Sequence, residues 1–267
     1  METFQLKDLL EAGVHLGHQK KNWNPKMEPY IYGDKDGSCI INLTKTYELL
    51  EQACAFLKEA ALQKKNIIFV GTKRHISEIT KEEAIRCGAF YINRRWLGGL
   101  LTNFDTIRHR LNRLRELEEM QEAGTLNVAN KKEASVLGKE FEKLQKTLGG
   151  IKNMRGKADI LFVIDQQKEH IAIEEAKKIG LKIVAIIDTN CDPTGIDYPI
   201  PGNDDSIRSV KYLVNIVANS IIEGHNGQVP DVHKSSVTRN GFSKGSLKQP
   251  IRLVQEIAVQ KEEVEVP

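Results

Sequence analysis

Asp159-Ile160-Leu161-Phe162-Val163-Ile164, then a helical pattern from Glu169 to Ile179 stopped by Gly180, then Lys182-Ile183-Val184-Ala185-Ile186-Ile187: the reading of this stretch decides the fold. Both apolar runs lack polar alternation, as strands do when they are buried on both faces of a parallel sheet. A helix between two such strands makes a right-handed crossover and a doubly wound α/β layer. The same rhythm extends toward the N-terminus. Phe90-Tyr91-Ile92 reads as a short strand, Ser77 to Cys87 as a helix stopped by Gly88, and Ile67-Ile68-Phe69-Val70 as a strand bounded by Gly71. Before them, Thr44 to Leu62 is helical, with Leu49, Leu50, Ala53, Phe56, Leu57 and Ala60 on one face, and Ser38-Cys39-Ile40-Ile41-Asn42 is a strand. On the other side, Asp204 or Asp205 caps a helix that runs to Ile222. The expectation is an α/β fold of about five parallel strands, with an extra edge strand at Tyr198–Ile200.

Two helices interrupt this rhythm. One runs from Asn103 to Glu122 and ends at Gly124, and the other runs from Lys131 to Leu148 and ends at Gly149-Gly150. Ile107, Leu111, Leu114 and Leu117 line the first, and Leu137, Phe141, Leu144 and Leu148 line the second, in a narrow coiled-coil seam. Their other faces are densely charged. Helices with one apolar stripe each are expected to pair as an antiparallel coiled-coil hairpin inserted in the sheet domain. This divides the chain into an α/β domain (1–102 with 149–227), a protruding hairpin (103–148) and an extension (228–267) whose Gly, Ser, Asn, Pro and Lys without periodicity read as mostly disordered. Within that extension, Ile251 to Ile257 could form one amphipathic stretch.

With 267 residues, 40% hydrophobic and 28% charged, the chain has the composition of a soluble globular protein and enough length for a real core. No window approaches a membrane span. Met1-Glu2-Thr3-Phe4 has neither the character of a secretory signal nor that of an organellar import peptide. The four cysteines, Cys39, Cys54, Cys87 and Cys191, show no C-x-x-C spacing and read as reduced thiols. The net charge of +3 is unevenly spread: residues 94–157 carry 14 Lys/Arg against 8 Asp/Glu, an excess of +6, while the remainder is at −3. Such a local basic excess is what an electrostatic footprint for nucleic acid looks like, although a solvated coiled coil rich in both signs gives the same count.

Tests for catalytic chemistry fail. No G-x-G-x-x-G follows the first strand. Gly150 to Ala158 has five residues between its glycines, places Ala158 where a Walker loop needs Ser or Thr, and leads into a strand. Asp188, Asp192, Asp204 and Asp205 follow strand ends and could gather around magnesium, which would make the chain a phosphate-handling enzyme. The same residues also cap helices and fix turns. His15-Leu16-Gly17-His18 has no third ligand in range. No metal and no cofactor is expected.

Two basic stretches carry more. Asn93-Arg94-Arg95-Trp96-Leu97-Gly98-Gly99-Leu100-Leu101-Thr102-Asn103 combines planar phosphate-binding guanidiniums, a stacking face and a glycine pair, at the mouth of the insertion. Lys20-Lys21-Asn22-Trp23-Asn24-Pro25-Lys26 puts three lysines and a tryptophan in a loop. Together with Gly13-Val14-His15-Leu16-Gly17-His18, Trp23-Asn24-Pro25-Lys26-Met27, Gly71-Thr72-Lys73-Arg74, Asp188-Thr189-Asn190-Cys191-Asp192-Pro193 and Pro201-Gly202-Asn203-Asp204-Asp205, all in order between Phe4 and Gly227, the chain resembles the small-subunit ribosomal protein uS2 (S2) family, of bacterial or plastid type.

The resemblance implies a flavodoxin-like α/β domain with a protruding coiled-coil hairpin and a non-enzymatic role. It implies binding to small-subunit rRNA between the head and body of the particle, contacts with other small-subunit ribosomal proteins, and a part in docking the large mRNA-binding protein bS1. It implies neither a small-molecule substrate nor a membrane. Frequent Lys, Ile and Asn and the absence of an import peptide fit a plastid-encoded chain of a chloroplast ribosome, with the bacterial cytoplasm as the alternative. Lys20, Lys21, Lys26, Lys73, Arg74, Arg94, Arg95, Arg108 and Arg110 are expected on phosphates, and Trp23 and Trp96 are expected either to stack on bases or to anchor their loops.

Overall fold

The computed structural model describes residues 4–123, 131–154 and 156–233. The order of its elements is α1 (Leu6–Glu11), β1 (Leu16–Gln19), β2 (Ile31–Lys35), β3 (Ser38–Ile41), α2 (Leu43–Leu62), β4 (Ile67–Val70), α3 (Ser77–Cys87), β5 (Phe90–Ile92), α4 (Phe104–Glu122), α5 (Lys131–Leu148), β6 (Ile160–Ile164), α6 (His170–Ile179), β7 (Lys182–Ile187), β8 (Tyr198–Pro201) and α7 (Ile207–Gly224). Five strands form one parallel sheet in the order β5-β4-β6-β7-β8. Every residue of β4 and β6 is buried. Alternate side chains feed two cores. Ile67, Phe69, Phe162, Ile164, Val184 and Ile186 pack with α2, α3 and α7 on one face. Ile68, Val70, Leu161, Val163, Ala185 and Ile187 pack with α6 and the base of α4 on the other. Unbroken apolar strands are therefore the direct consequence of a sheet covered on both sides.

The strand at Ser38–Ile41 is placed differently from the sequence reading. It is the middle of a separate antiparallel sheet, β1-β3-β2, and the fifth parallel strand is β8. A short apolar run looks alike in either setting, since only its pairing partner differs. β1, β2 and α1 are additions that the hydrophobic pattern did not signal. α2 begins on Asn42, whose side chain accepts from the Thr44 and Lys45 amides at 3.1 and 3.5 Å. Buried Thr46 then donates to the Pro201 carbonyl at 2.8 Å, seating that end of the helix on β8. α3 and α6 both stop at a left-handed glycine, Gly88 (φ +71°) and Gly180 (φ +73°), where a side chain would be strained.

α4 buries Phe104, Ile107, Leu111, Leu114 and Leu117. On α5, Leu148 is buried and Phe141 and Leu144 pack half-buried against the same core. Arg113 Nε donates to Glu140 Oε1 at 3.2 Å from one helix to the other. Gln228–His233 lies on the α/β body: half-buried Val232 packs against the same core and accepts from Asn153 Nδ2 at 2.7 Å through its carbonyl, and His233 Nε2 is 2.8 Å from the Ala89 carbonyl. The rest of the expected extension, 234–267, lies outside the described residues. No helix among the described residues is long and apolar enough to cross a membrane.

Candidate nucleic-acid interface

Parallel strands deliver their carboxyl ends to one edge of the sheet, and that edge is where polar loops gather. Lys73, three residues beyond β4, turns its ammonium inward. Its Nζ is 2.8 Å from Asp165 Oδ2, 3.0 Å from Asp204 Oδ1 and 2.8 Å from Asp205 Oδ1. His18, from β1, bridges Asp188 Oδ2 (Nδ1, 3.1 Å) and Asp205 Oδ2 (Nε2, 3.2 Å). Asp165, Asp188 and Asp204 are almost wholly buried. Burial, with Asp165 and Asp188 nearby, pushes the Asp204 carboxyl up to about 7. Burial opposes the charge on Lys73, but Asp204 and the other carboxylates outweigh it and hold the ammonium above its usual range. The hydrogen bond to Asp188 lifts the His18 imidazole to about 9. Glu169, raised by burial, accepts from the Thr72 amide at 2.9 Å and from its hydroxyl at 2.5 Å.

The loop after β1 folds over this edge. The His18 amide donates to Thr189 Oγ1 at 2.9 Å, and the Asn24 amide donates to the Thr189 carbonyl at 2.8 Å. Lys26 Nζ meets Asp192 Oδ2 at 2.7 Å, which holds that carboxyl near 2. Asp192 is thus engaged apart from Asp188, Asp204 and Asp205. The Lys73 ammonium stands among carboxylates where a magnesium ion would have to sit. Among the described residues, no group of His, Cys, Asp and Glu is arranged to hold a metal ion.

The loop that leaves β5 is built differently. Asn93 is buried and donates through Nδ2 to the Ser77 carbonyl at 3.1 Å. Trp96 is 7% exposed, and its ring lies in the core beside α6. Its Nε1 donates to Glu175 Oε1 at 3.1 Å, as does the Gly99 amide at 2.7 Å. Glu175 Oε2 accepts from the Leu101 and Thr102 amides at 3.0 and 3.2 Å and from the Thr102 hydroxyl at 3.2 Å. Gly99 adopts φ +85°, which lets the backbone curl around the carboxylate. Burial would raise the Glu175 carboxyl, but these donors outweigh it and hold it below the usual range. Arg94 and Arg95, between the two buried anchors, are exposed.

The sequence-predicted residues separate accordingly. Lys21, Arg74, Arg94, Arg95 and Arg110 are exposed and have no carboxylate partner among the described residues. Lys20 is paired with Asp34 at 3.1 Å and Lys26 with Asp192. Arg108 lies 5.6 Å over the Phe104 ring and 3.5 Å from Asp105. Topology brings most of them to one edge: β4 and β5 pair in parallel up to Val70 and Ile92, so Arg74, Arg94 and Arg95 leave neighbouring strand ends. Arg108 and Arg110 ride on α4 instead. Trp23 is half-buried. Trp96 anchors its loop because its ring is inside the protein, and Lys73 is committed to three aspartates. Sequence reasoning missed Glu175. Its signal was a carboxylate on the buried face of α6, between Ala172, Ile173 and Ala176, where an unpartnered charge would be costly.

Residues 9–224 match the family described as Ribosomal protein S2. The chain is 54% identical over 231 residues to a protein of Picosynechococcus sp. named Small ribosomal subunit protein uS2, covering 86% of this chain and 90% of that relative. It is 52% identical over 229 residues to a protein of Rhodomonas salina named Small ribosomal subunit protein uS2c, covering 86% and 94%.

Proposed function

We propose a function from one premise: the chain belongs to the ribosomal protein S2 family. It is a structural constituent of the small ribosomal subunit, turns over no substrate, and acts in translation by binding small-subunit rRNA and neighbouring ribosomal proteins. The observation that supports the rRNA part is the presentation of Arg94 and Arg95. Both guanidiniums face solvent without a carboxylate partner among the described residues, on a stretch fixed on either side by buried Asn93 and Trp96. Fixed, unpaired arginines suit bidentate contact with phosphate oxygens, and such contacts position a protein on RNA without reading its sequence. Arg74, Lys21, Lys20 and Lys26 extend the cationic surface along the same edge, and Arg108 and Arg110 extend it onto α4. Specificity comes from the shape of the folded rRNA. Docking of bS1 belongs to the same proposal. A plastid and a bacterial ribosome are supported by relatives of nearly equal identity.

Sucrose-gradient sedimentation of a lysate of the source organism, with this chain followed by mass spectrometry through a high-salt wash, tests the proposal. Stable co-migration with the small subunit is the expected result. Recovery only at the top of the gradient would overturn it.

A further inference from the structure

We infer that Glu175 is the positioning residue of the Arg94–Arg95 phosphate contact, an inference that rests on the rRNA-binding role proposed above. Glu175 reaches the loop from α6, a different element, and touches neither arginine. Its carboxylate collects five donors from the loop: the Trp96 indole N–H, the Gly99, Leu101 and Thr102 amides and the Thr102 hydroxyl. Unpaired, the buried Trp96 indole N–H and the buried Leu101 amide would each need another acceptor, and the loop would have to open to water to find one. Residues 96–102 therefore close around the carboxylate as backbone amides close around an anion.

The consequence falls on the arginines because of where they sit. Arg94 and Arg95 lie between Asn93, fixed to the Ser77 carbonyl, and Trp96, fixed to Glu175. Release of the second anchor leaves the pair tethered on one side only, and two guanidiniums must then be ordered anew each time RNA binds. An acid on α6 thus sets the geometry of two cations on the β5 loop. Gln is the informative replacement. Its single carbonyl oxygen can serve either the Trp96 and Gly99 donors or the Leu101 and Thr102 donors, and its amide group then opposes N–H groups with N–H groups.

Small subunits stripped of their own copy by a chaotropic wash, harsher than the high-salt wash that leaves the chain in place, serve as the probe. Binding of the full chain is measured across a range of salt for wild type, Arg94→Ala/Arg95→Ala, Glu175→Gln and the triple variant. Hydrogen exchange at Gly99, Leu101 and Thr102 reports the loop. The expected result for Arg94→Ala/Arg95→Ala is roughly tenfold weaker binding, with a salt slope reduced by about 0.7 to 0.9 for each lost contact. Glu175→Gln should lose loop protection and reproduce much of both changes, and the triple variant should fall no further. A merely structural role for Glu175 would lower the amount of folded protein without moving the salt slope. If folded Glu175→Gln keeps wild-type affinity and slope, or if its loss adds in full to that of the arginines, the inference is wrong. Should Glu175→Gln fail to fold, Trp96→Phe and Thr102→Val each remove donors singly and are read by the same criteria. If Arg94→Ala/Arg95→Ala itself changes nothing, the rRNA reading fails at this loop, and the inference fails with it.

Discussion

The two charged regions at the carboxyl edge of the sheet use the same residue types to opposite ends. Around Lys73 a single cation is surrounded by Asp165, Asp204 and Asp205, so its charge is consumed inside the protein. On the β5 loop the single carboxylate, Glu175, is surrounded by uncharged donors, so its charge is consumed and the neighbouring arginines stay open. At the β5 loop Arg94 and Arg95 are left without a carboxylate partner among the described residues while Glu175 is satisfied by N–H and O–H groups. The difference lies in what the carboxylates accept from, not in how many basic residues the loops carry.

The largest test of this contrast is Lys73→Met. It would strand buried Asp165 and Asp204 without a counter-ion, and removing one partner of a buried pair costs about 3 to 5 kcal/mol. Urea unfolding should register most of that. A loss below about 1 kcal/mol would mean that Lys73 is surplus to the hub and free to act outside it. Trp96→Phe should cost less, about 1 to 3 kcal/mol, because Glu175 keeps four other donors while the core loses part of one ring. If Trp96→Phe proves more damaging than Lys73→Met, the ranking of the two regions as hub and presenting loop is reversed.

The sequence carried the layers of the fold because a sheet covered on both faces needs strands without polar breaks, and β4, β6 and β7 have them. It did not carry the assignment of Ser38–Ile41, since four apolar-leaning residues do not reveal their pairing partner. For the site, it carried residue types and lost partners. Lys73 and Arg74 stand side by side in one basic motif, yet Asp204 is 131 residues away from Lys73 in the chain, and Glu175 is 79 residues from Trp96. Whether a lysine is neutralised or open is decided by folding across those separations, and no local spacing encodes it.

The hub should also show itself in pH, which the presenting loop should not. His18 is raised from 6.5 to about 9, so its contribution is complete below 6.5 and is lost as pH rises through 9. Asp204 is raised from 3.8 to about 7, so the folded state favours its protonated form and stability falls as pH climbs toward 7 and the buried carboxyl ionises. Asp205, which the hydrogen bond from Lys73 holds below the usual range, stays charged throughout and adds no slope between pH 6.5 and 9. Urea midpoints should therefore decline from pH 6.5 to 9, and His18→Asn should flatten that decline. A wild-type midpoint that is level across this window would remove the His18–Asp188–Asp205 bridge from the account. Glu175, held low by its donors, is ionised over the same range and predicts no change in the loop.

The smallest effect sharpens the outer limit of the cationic surface. Arg110 is exposed on α4, one turn and more beyond the Glu175-bound loop, and has no carboxylate partner among the described residues. Nothing in the fold depends on it, so Arg110→Ala should change stability by no more than about 0.5 kcal/mol. If RNA follows the edge of the sheet onto α4, the same substitution should still lower the salt slope of binding to stripped subunits by about 0.7 to 0.9, the signature of one lost phosphate contact. An unchanged slope would end the RNA surface at Arg95 and leave the outer faces of α4 and α5 to protein neighbours. In either case the substitution separates charge that faces a partner from charge that only faces water, which exposure alone does not do.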